Sequence, residues 1–448
     1  MKDRKKMVIT RIDKSRAEIV DLLSQLVRIP SITPNYPGVD REAVIGGESD
    51  CNRELANYYR KIGCETDLWE EESGRANLVG VLKGSGGGKS LIFNGHIDTV
   101  PPGDDQEWDQ GDPYSGKILD GKVYGLGACD MKGGIVAQWA AAKALVDCGI
   151  GLKGDLILES VVGEETMDHA AGTSATIKRG YRADGAIVSE PTGAGGSLAV
   201  SPASPGLLFM KVTCSGVATH PGARFEFVRA GGAGATAGVN AIEKGAIILS
   251  ALQNLETQWG FSKQHVFFPS GFFTLHPGVI IGGPPGPLVP YIVSTYCRLE
   301  YIIWYPPQEN VDDVKSEISD YIRKTAALDD WLDKHPPQID WVNHWPPFEL
   351  SADHPLVHNC LECQMEALSE KPGYDTSTAL RGFFAVCDAT WFNQNGIPAI
   401  VYGPGSGMVA HRRNEYISID EIILAAKTYA LMALRWCEAD QNTSCQKY

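Results

Sequence analysis

No stretch of this 448-residue sequence approaches the ~20 consecutive apolar residues that a membrane-spanning helix needs. Positive charge is not in excess either: 40 Lys+Arg stand against 55 Asp+Glu, a formal charge of −15. Nucleic acid and anionic membrane are therefore not expected as partners, since both select a basic face. Internal repeats and low-complexity tracts are missing. The glycines at 231–232 and 403–407 lack the Lys-Ser/Thr of a P-loop and the strand–GxGxxG–helix setting of a dinucleotide site, which excludes a nucleotide cradle. Eleven cysteines, an odd number, are scattered along the chain. Cys360 and Cys363 have CxxC spacing but no second CxxC or His pair, and they lie in an apolar helical run. Reduced helix thiols are predicted there, not a zinc knuckle. The first residues carry no apolar h-region or cleavage site, so a signal peptide is not expected and the cytoplasm is the expected location.

What the sequence does contain is 43% apolar and 21% charged residues in a length suited to two cores. Apolar spacing predicts helices over 14–28 and 50–62, strands over 77–82 and 90–94, and an Ala-rich helix from Met131 to Val146. Further strands are predicted over 155–162 and 185–189. Continuous apolar strands alternating with helices predict an α/β domain, with a mixed, largely parallel sheet covered by helices. The pattern changes near Ser204. Strands at 207–213, 278–282 and 292–305 and helices at 238–255 and 311–327 predict an inserted α+β domain over 206–345. The larger, first domain is expected over 1–205 and 346–448, closing with a strand at 397–402, a helix over 419–438 and a polar tail from Cys437.

Five short clusters carry chemistry. The first is Gly95-His96-Ile97-Asp98, at the end of an apolar strand. Residues i and i+2 of an extended chain project to one side, so Asp98 can hold one His96 nitrogen while the other binds a metal. The second places Asp130 between glycine-rich turns and a helix start, where an ordinary N-cap is the competing explanation. The third is Glu164-Glu165, two adjacent carboxylates after a strand, which need cations or a shared proton if partly buried. The fourth is Glu190, again closing a strand. The last runs from Gly403 through His411 to Asn414-Glu415. A parallel sheet gathers such strand ends on one edge. Two imidazoles and three carboxylates (His96, Asp130, Glu165, Glu190, His411) suit a pair of divalent ions, zinc most naturally, with cobalt or manganese as alternatives. Glu164 is left over as a base.

These clusters, read as GHIDTVPPGD, YGLGACDMKGG, GEE, SEPTG and GPG…AH…NE, resemble the metal-dependent M20 peptidase/deacylase family in order and spacing across essentially the whole chain. The resemblance implies a di-zinc exopeptidase-like catalytic domain whose insert is a lid and homodimerisation domain. It implies that His96 and Glu190 hold one metal, Glu165 and His411 the other, and that Asp130 bridges them. Asp98 would orient His96, and Glu164 would be the general base. His220, in Thr219-His220-Pro221-Gly222, matches a lid histidine that polarises the substrate carbonyl, in dimeric members from the partner subunit. A non-proline cis bond often follows the bridging aspartate, here Asp130-Met131. The implied activity is hydrolysis of an amide, peptide-like or carbamate bond of a small molecule. A di- or exopeptidase, a deacetylase of acetylornithine type and a non-catalytic scaffold are the alternatives.

The substrate pocket departs from the family pattern. Pro287-Leu-Val-Pro290 stands where many relatives have an Asn-x-x-Pro. Trp304 and Thr390 stand where arginines are common. Arginine reads carboxylates bidentately, so its loss at two places weakens the case for a substrate carboxylate. Trp304 and Gly405 are expected to contact substrate. Trp259, Phe261, Phe267, Phe268, Phe272 and Phe273 are expected as core or dimer interface, or, on a sharper reading, as a pocket for an apolar or aromatic group.

Overall fold

The computed structural model describes residues 2–103, 108–193, 198–228, 237–283, 289–369 and 379–439. Asp104, Gly231–Gly232, Pro287–Leu288 and the tail after residue 439 lie outside the described residues. The chain forms two units, Met1–Ser204 with Phe348–Tyr448, and Pro205–Pro347.

The first unit is built on six strands: β1 (Glu65–Glu72), β2 (Arg75–Leu82), β3 (Leu91–His96), β4 (Leu156–Val161), β5 (Ala186–Val188) and, late in the chain, β10 (Ala399–Val401). Their spatial order is β1-β2-β4-β3-β5-β10. The β4–β3, β3–β5 and β5–β10 pairings are parallel; β1–β2 and β2–β4 are antiparallel. β3 and β4 are buried along their whole length, as continuous apolar runs covered on both faces must be. His96 is the last residue of β3, which runs two residues past Asn94, where its sequence suggests it would stop. β1 went unpredicted because ETDLWEEE is acidic. It is the sheet's edge strand, where charge blocks pairing with another chain.

Helices cover this sheet. α1 (Lys2–Lys14), α2 (Arg16–Val27), α3 (Gly47–Lys61), α4 (Gly133–Asp147) and α7 (Ile419–Trp436) supply most of the core. α1 is an addition to the sequence reading; its Val8, Ile9 and Ile12 are buried, and it packs on α4 and α7. α7 has Asp420 and Glu421 in its first turn and Arg435 in its last, each sign matched to the helix dipole. α4 approaches the end of β5 closely. A Cβ on Gly134 would lie 2.3 Å from the Ser189 carbonyl oxygen, so only glycine lets the helix start there. Cys360 and Cys363 are buried, unpaired thiols of the helix Pro355–Leu368. Among the described residues no helix is long and apolar enough to cross a membrane.

The second unit is a four-stranded antiparallel sheet of β6 (Gly206–Ser215), β7 (Leu275–Gly282), β8 (Tyr296–Tyr305) and β9 (Gln338–Trp345), ordered β7-β8-β6-β9. With α5 (Ala241–Ser262) and α6 (Val311–Ala326) the chain order is βαββαβ, a ferredoxin-like arrangement. β8 alternates strictly between half-buried and buried residues. Leu299, Tyr301 and Ile303 join Ile248, Leu252, Ile318 and Ile322 of the helices in one core, while Trp304 belongs to the opposite face. Trp259, Phe268 and Phe273 are buried, which makes them core residues of this unit, whereas Phe261 is 84% exposed.

Candidate metal centre

Each of the four parallel strands delivers a candidate residue at its C-terminal end, where open α/β sheets place their sites. β3 ends on His96. β4 runs into Gly163, whose φ of +86° turns the chain abruptly, so that Glu164 and Glu165 follow on a 3₁₀ turn. β5 is followed by Glu190, and β10 by the loop from Gly403 to His411. Asp130 arrives differently. It sits inside a π-turn (Ala128–Lys132) that leads into α4, with φ −120° and ψ 95° and a cis bond to Met131. The N-cap explanation therefore does not apply to it: its carboxylate faces two histidines.

His96 Nε2 lies 3.1 Å from Asp130 Oδ1 and 3.5 Å from Glu190 Oε1. His411 Nε2 lies 2.9 Å from Glu165 Oε2 and 3.3 Å from Asp130 Oδ2. Asp130 thus meets one imidazole with each oxygen. Donor atoms of His96, Glu164 and Glu190 lie within 4.8 Å of one another, as do those of His96, Asp130 and Glu165. His220 and Trp304 belong to the second unit.

Burial pushes the Glu164 and Glu190 carboxyls well above the ordinary carboxylate range, and neighbouring carboxylates push the same way. Burial alone would lower His96, but Glu190, Asp130 and Asp98 outweigh it and raise its pKa. Burial would raise Asp130, yet hydrogen bonds from His411 and His96 hold it well below the usual range. Four acids and two imidazoles packed this closely are a concentration of negative charge that divalent cations relieve. Nitrogen and oxygen donors in this ratio suit zinc and its first-row neighbours. The residues present fit two such ions.

The neighbours of the cage refine one expectation. His96 Nδ1 is 3.0 Å from the backbone carbonyl of Asp98 and 3.6 Å from its carboxylate. A carbonyl only accepts, so Nδ1 carries a proton, and Nε2, which faces Asp130 and Glu190, is the ring nitrogen that would ligate an ion. The Asp98 carboxylate instead accepts the Glu165 N–H at 3.2 Å, which fixes the acidic loop. The Gly405 N–H donates to Glu421 Oε2 at 3.0 Å and its carbonyl accepts from the Gly193 N–H at 2.7 Å, which anchors the start of the loop that leads to His411.

Two participants have roles that the sequence left blank. Glu415 Oε1 accepts the N–H groups of Cys129, at 2.8 Å, and Asp130, at 3.2 Å. Asp388 is buried beside the site, takes a hydrogen bond from Thr173 Oγ1 at 2.7 Å and is pushed up to about 6 by burial. Neither follows from local sequence, because each acts through a segment more than two hundred residues away.

Residues 92–435 match the sequence profile of peptidase family M20/M25/M40. The chain is 32% identical over 446 residues to an N-formyl-4-amino-5-aminomethyl-2-methylpyrimidine deformylase of Halalkalibacterium halodurans, covering 96% of this chain and 97% of that one. It is 28% identical over 408 residues to an acetylornithine deacetylase of Aliivibrio fischeri, covering 90% and 95%. Among solved structures, human carnosine dipeptidase 1 superimposes with a TM-score of 0.70 at 16% identity, over 97% of this chain and 99% of that one.

Proposed function

The chain belongs to peptidase family M20/M25/M40 and is a metal-dependent amide hydrolase; on that premise we propose that it deacylates a small N-acyl amine carrying an aromatic group and no essential carboxylate. The observation that carries the hydrolytic reading is the cage itself, with Asp130 between two histidines and an extra half-buried carboxyl, Glu164, at its edge. His96 and Glu190 would hold one ion and His411 and Glu165 the other, with Asp130 shared. Zinc is the first choice, cobalt or manganese the alternatives. When bound, such ions supply Lewis acidity, making a water more acidic and drawing charge from the scissile carbonyl. Glu164 takes the proton from the attacking water and returns it to the leaving nitrogen. His220 accepts the Gly222 N–H on Nδ1 at 3.0 Å, which leaves Nε2–H as a donor suited to a developing oxyanion.

The substrate reading rests on what replaces the arginines and on the relatives. Thr390 and Trp304 cannot read a carboxylate as Arg does. The 32% identical relative is named for removing a formyl group from an aminomethylpyrimidine. Phe384, 46% exposed, rests against Gly407 on the loop that leads to His411 and presents an aromatic face there. The test is a substrate panel on zinc- and cobalt-loaded protein: N-formyl aminomethylpyrimidine, aromatic anilides and carbamates, N-acetylmethionine and N-acetylornithine. The aromatic formamide is expected to exceed acetylornithine in kcat/KM by at least tenfold, about 1.4 kcal/mol of transition-state binding. Exclusive turnover of acetylornithine overturns the aromatic reading and restores the deacetylase alternative.

A homodimer through the second unit is part of the same proposal. β7 is an edge strand, and its Val279, Ile280 and Ile281 are 41%, 58% and 42% exposed. Ile242 of α5, 43% exposed, continues this apolar face beside Gly282. A bare apolar edge strand is an aggregation hazard unless something pairs with it, and a second copy offers a self-complementary partner. Sedimentation of wild type should give a dimer, and Ile280→Lys a monomer; a monomeric wild type refutes the interface. The cytoplasmic setting belongs to this proposal too, in keeping with buried thiols such as Cys51, Cys360 and Cys363 that form no disulfide.

A further inference from the structure

The acidic loop of the centre is tied to the body of the first unit by an ion-pair chain that no motif announces. The loop is a closed turn: the Asp168 N–H donates to the Gly163 carbonyl at 2.7 Å and the Met167 N–H to that of Glu164 at 2.9 Å. At its far end, Asp168 Oδ2 meets Arg75 Nη1 at 2.7 Å. Arg75, on β2, is fully buried and grips the buried Glu48 of α3 as a fork, Nε to Oε2 at 2.7 Å and Nη2 to Oε1 at 2.9 Å. Its Nη1 also reaches Glu72 Oε2 at 3.0 Å. A second link runs to the same loop, since Thr33 Oγ1 stands 3.5 Å from Arg75 Nη2 and 3.3 Å from Thr166 Oγ1.

A buried ion pair gains little net stability, because desolvation of both charges offsets their attraction, and apolar replacements are often as stable. Its geometric content is different. A bidentate fork fixes the guanidinium plane, so the two N–H bonds of the remaining Nη1 have set directions, one met by Glu72 and the other by Asp168 of the loop carrying Glu164 and Glu165. We propose that Glu48–Arg75–Asp168 is a strut that holds this loop in register with His96 and His411, making Arg75 and Asp168 positioning residues for hydrolysis. The kinetic consequence rests on the function proposed above, whereas the mechanical one does not.

The test compares Asp168→Ala with Glu72→Gln in the metal-loaded protein. Both remove a carboxylate from Arg75, but only Asp168 reaches the loop, and its side chain is 30% exposed, so the variant is expected to fold. Asp168→Ala should lower kcat about tenfold with KM within about twofold, the scale of losses at groups that orient metal ligands. It should also alter the visible spectrum of the cobalt form and speed hydrogen exchange of the Gly163–Asp168 amides. Glu72→Gln should leave all three readouts near wild type. Unchanged loop exchange and cobalt spectrum in Asp168→Ala overturn the strut, as does an equal kinetic loss in Glu72→Gln. A wild type that takes up cobalt but cleaves no amide on the panel overturns the hydrolytic reading instead, while faster loop exchange in the variant still supports the strut.

Discussion

Glu164→Gln is expected to lower kcat by about 10²–10⁴, the usual contribution of a positioned general acid–base, while the protein keeps its full metal content. The substitution preserves shape and removes only the group that takes and returns a proton. The distinction matters because the Glu164 carboxyl lies within ligand range of His96 and Glu190. If it were a ligand, metal content measured by atomic absorption would fall together with activity. Loss of turnover at full occupancy supports the base; retained turnover, or proportional loss of metal, overturns it. Stripping wild type with a chelator should abolish activity outright, and adding zinc or cobalt back should restore it in wild type but not in Glu164→Gln.

Glu415→Ala is the second large effect. The Glu415 carboxyl is buried and pushed up to about 8, first by burial and then by the nearby Asp130 charge. Its Oε1 is the acceptor for two consecutive N–H groups, those of Cys129 and of Asp130 itself, the residue that spans both histidines. Truncation leaves two buried donors without that partner, at a cost of about 1–3 kcal/mol each, and releases the backbone that aims Asp130. Metal affinity and kcat are expected to fall about 10–100-fold, as they do when groups orienting metal ligands are lost. Glu415→Gln keeps an oxygen acceptor in the same place and should recover most of both. A competition assay against a chromophoric chelator measures the affinity. Equal behaviour of the Ala and Gln variants would show that the carbonyl-type acceptor is not what holds Asp130.

The expectations about individual residues fared according to how far their causes reach along the chain. His96 closes β3 and Asp98 stands two residues further along the chain, so their adjacency is a local matter. Even there, which oxygen of Asp98 meets the ring depended on the turn after β3, and the carbonyl proved nearer than the carboxylate. Glu164 and Glu165 could be placed after an apolar strand, but not the strut behind them. Glu48, Arg75 and Asp168 are ordinary surface residue types that burial turns into a fixed chain. The aromatic run of the second unit is expected as core or dimer interface, with a pocket as the sharper alternative, and burial places Trp259, Phe268 and Phe273 inside the unit while Phe261 is exposed.

The sequence by itself determined the class of chemistry and the kind of sheet, because continuous apolar strands must be covered on both faces and must deliver their following residues to one edge. The same local rules put acids and imidazoles at those strand ends. The tertiary structure alone decided which oxygen faces which nitrogen, how Asp130 is aimed, and what holds the acidic loop. Those are contacts between segments up to three hundred residues apart, and their geometry is fixed by packing and by the cost of leaving buried charge and N–H groups unpaired, which no local pattern records.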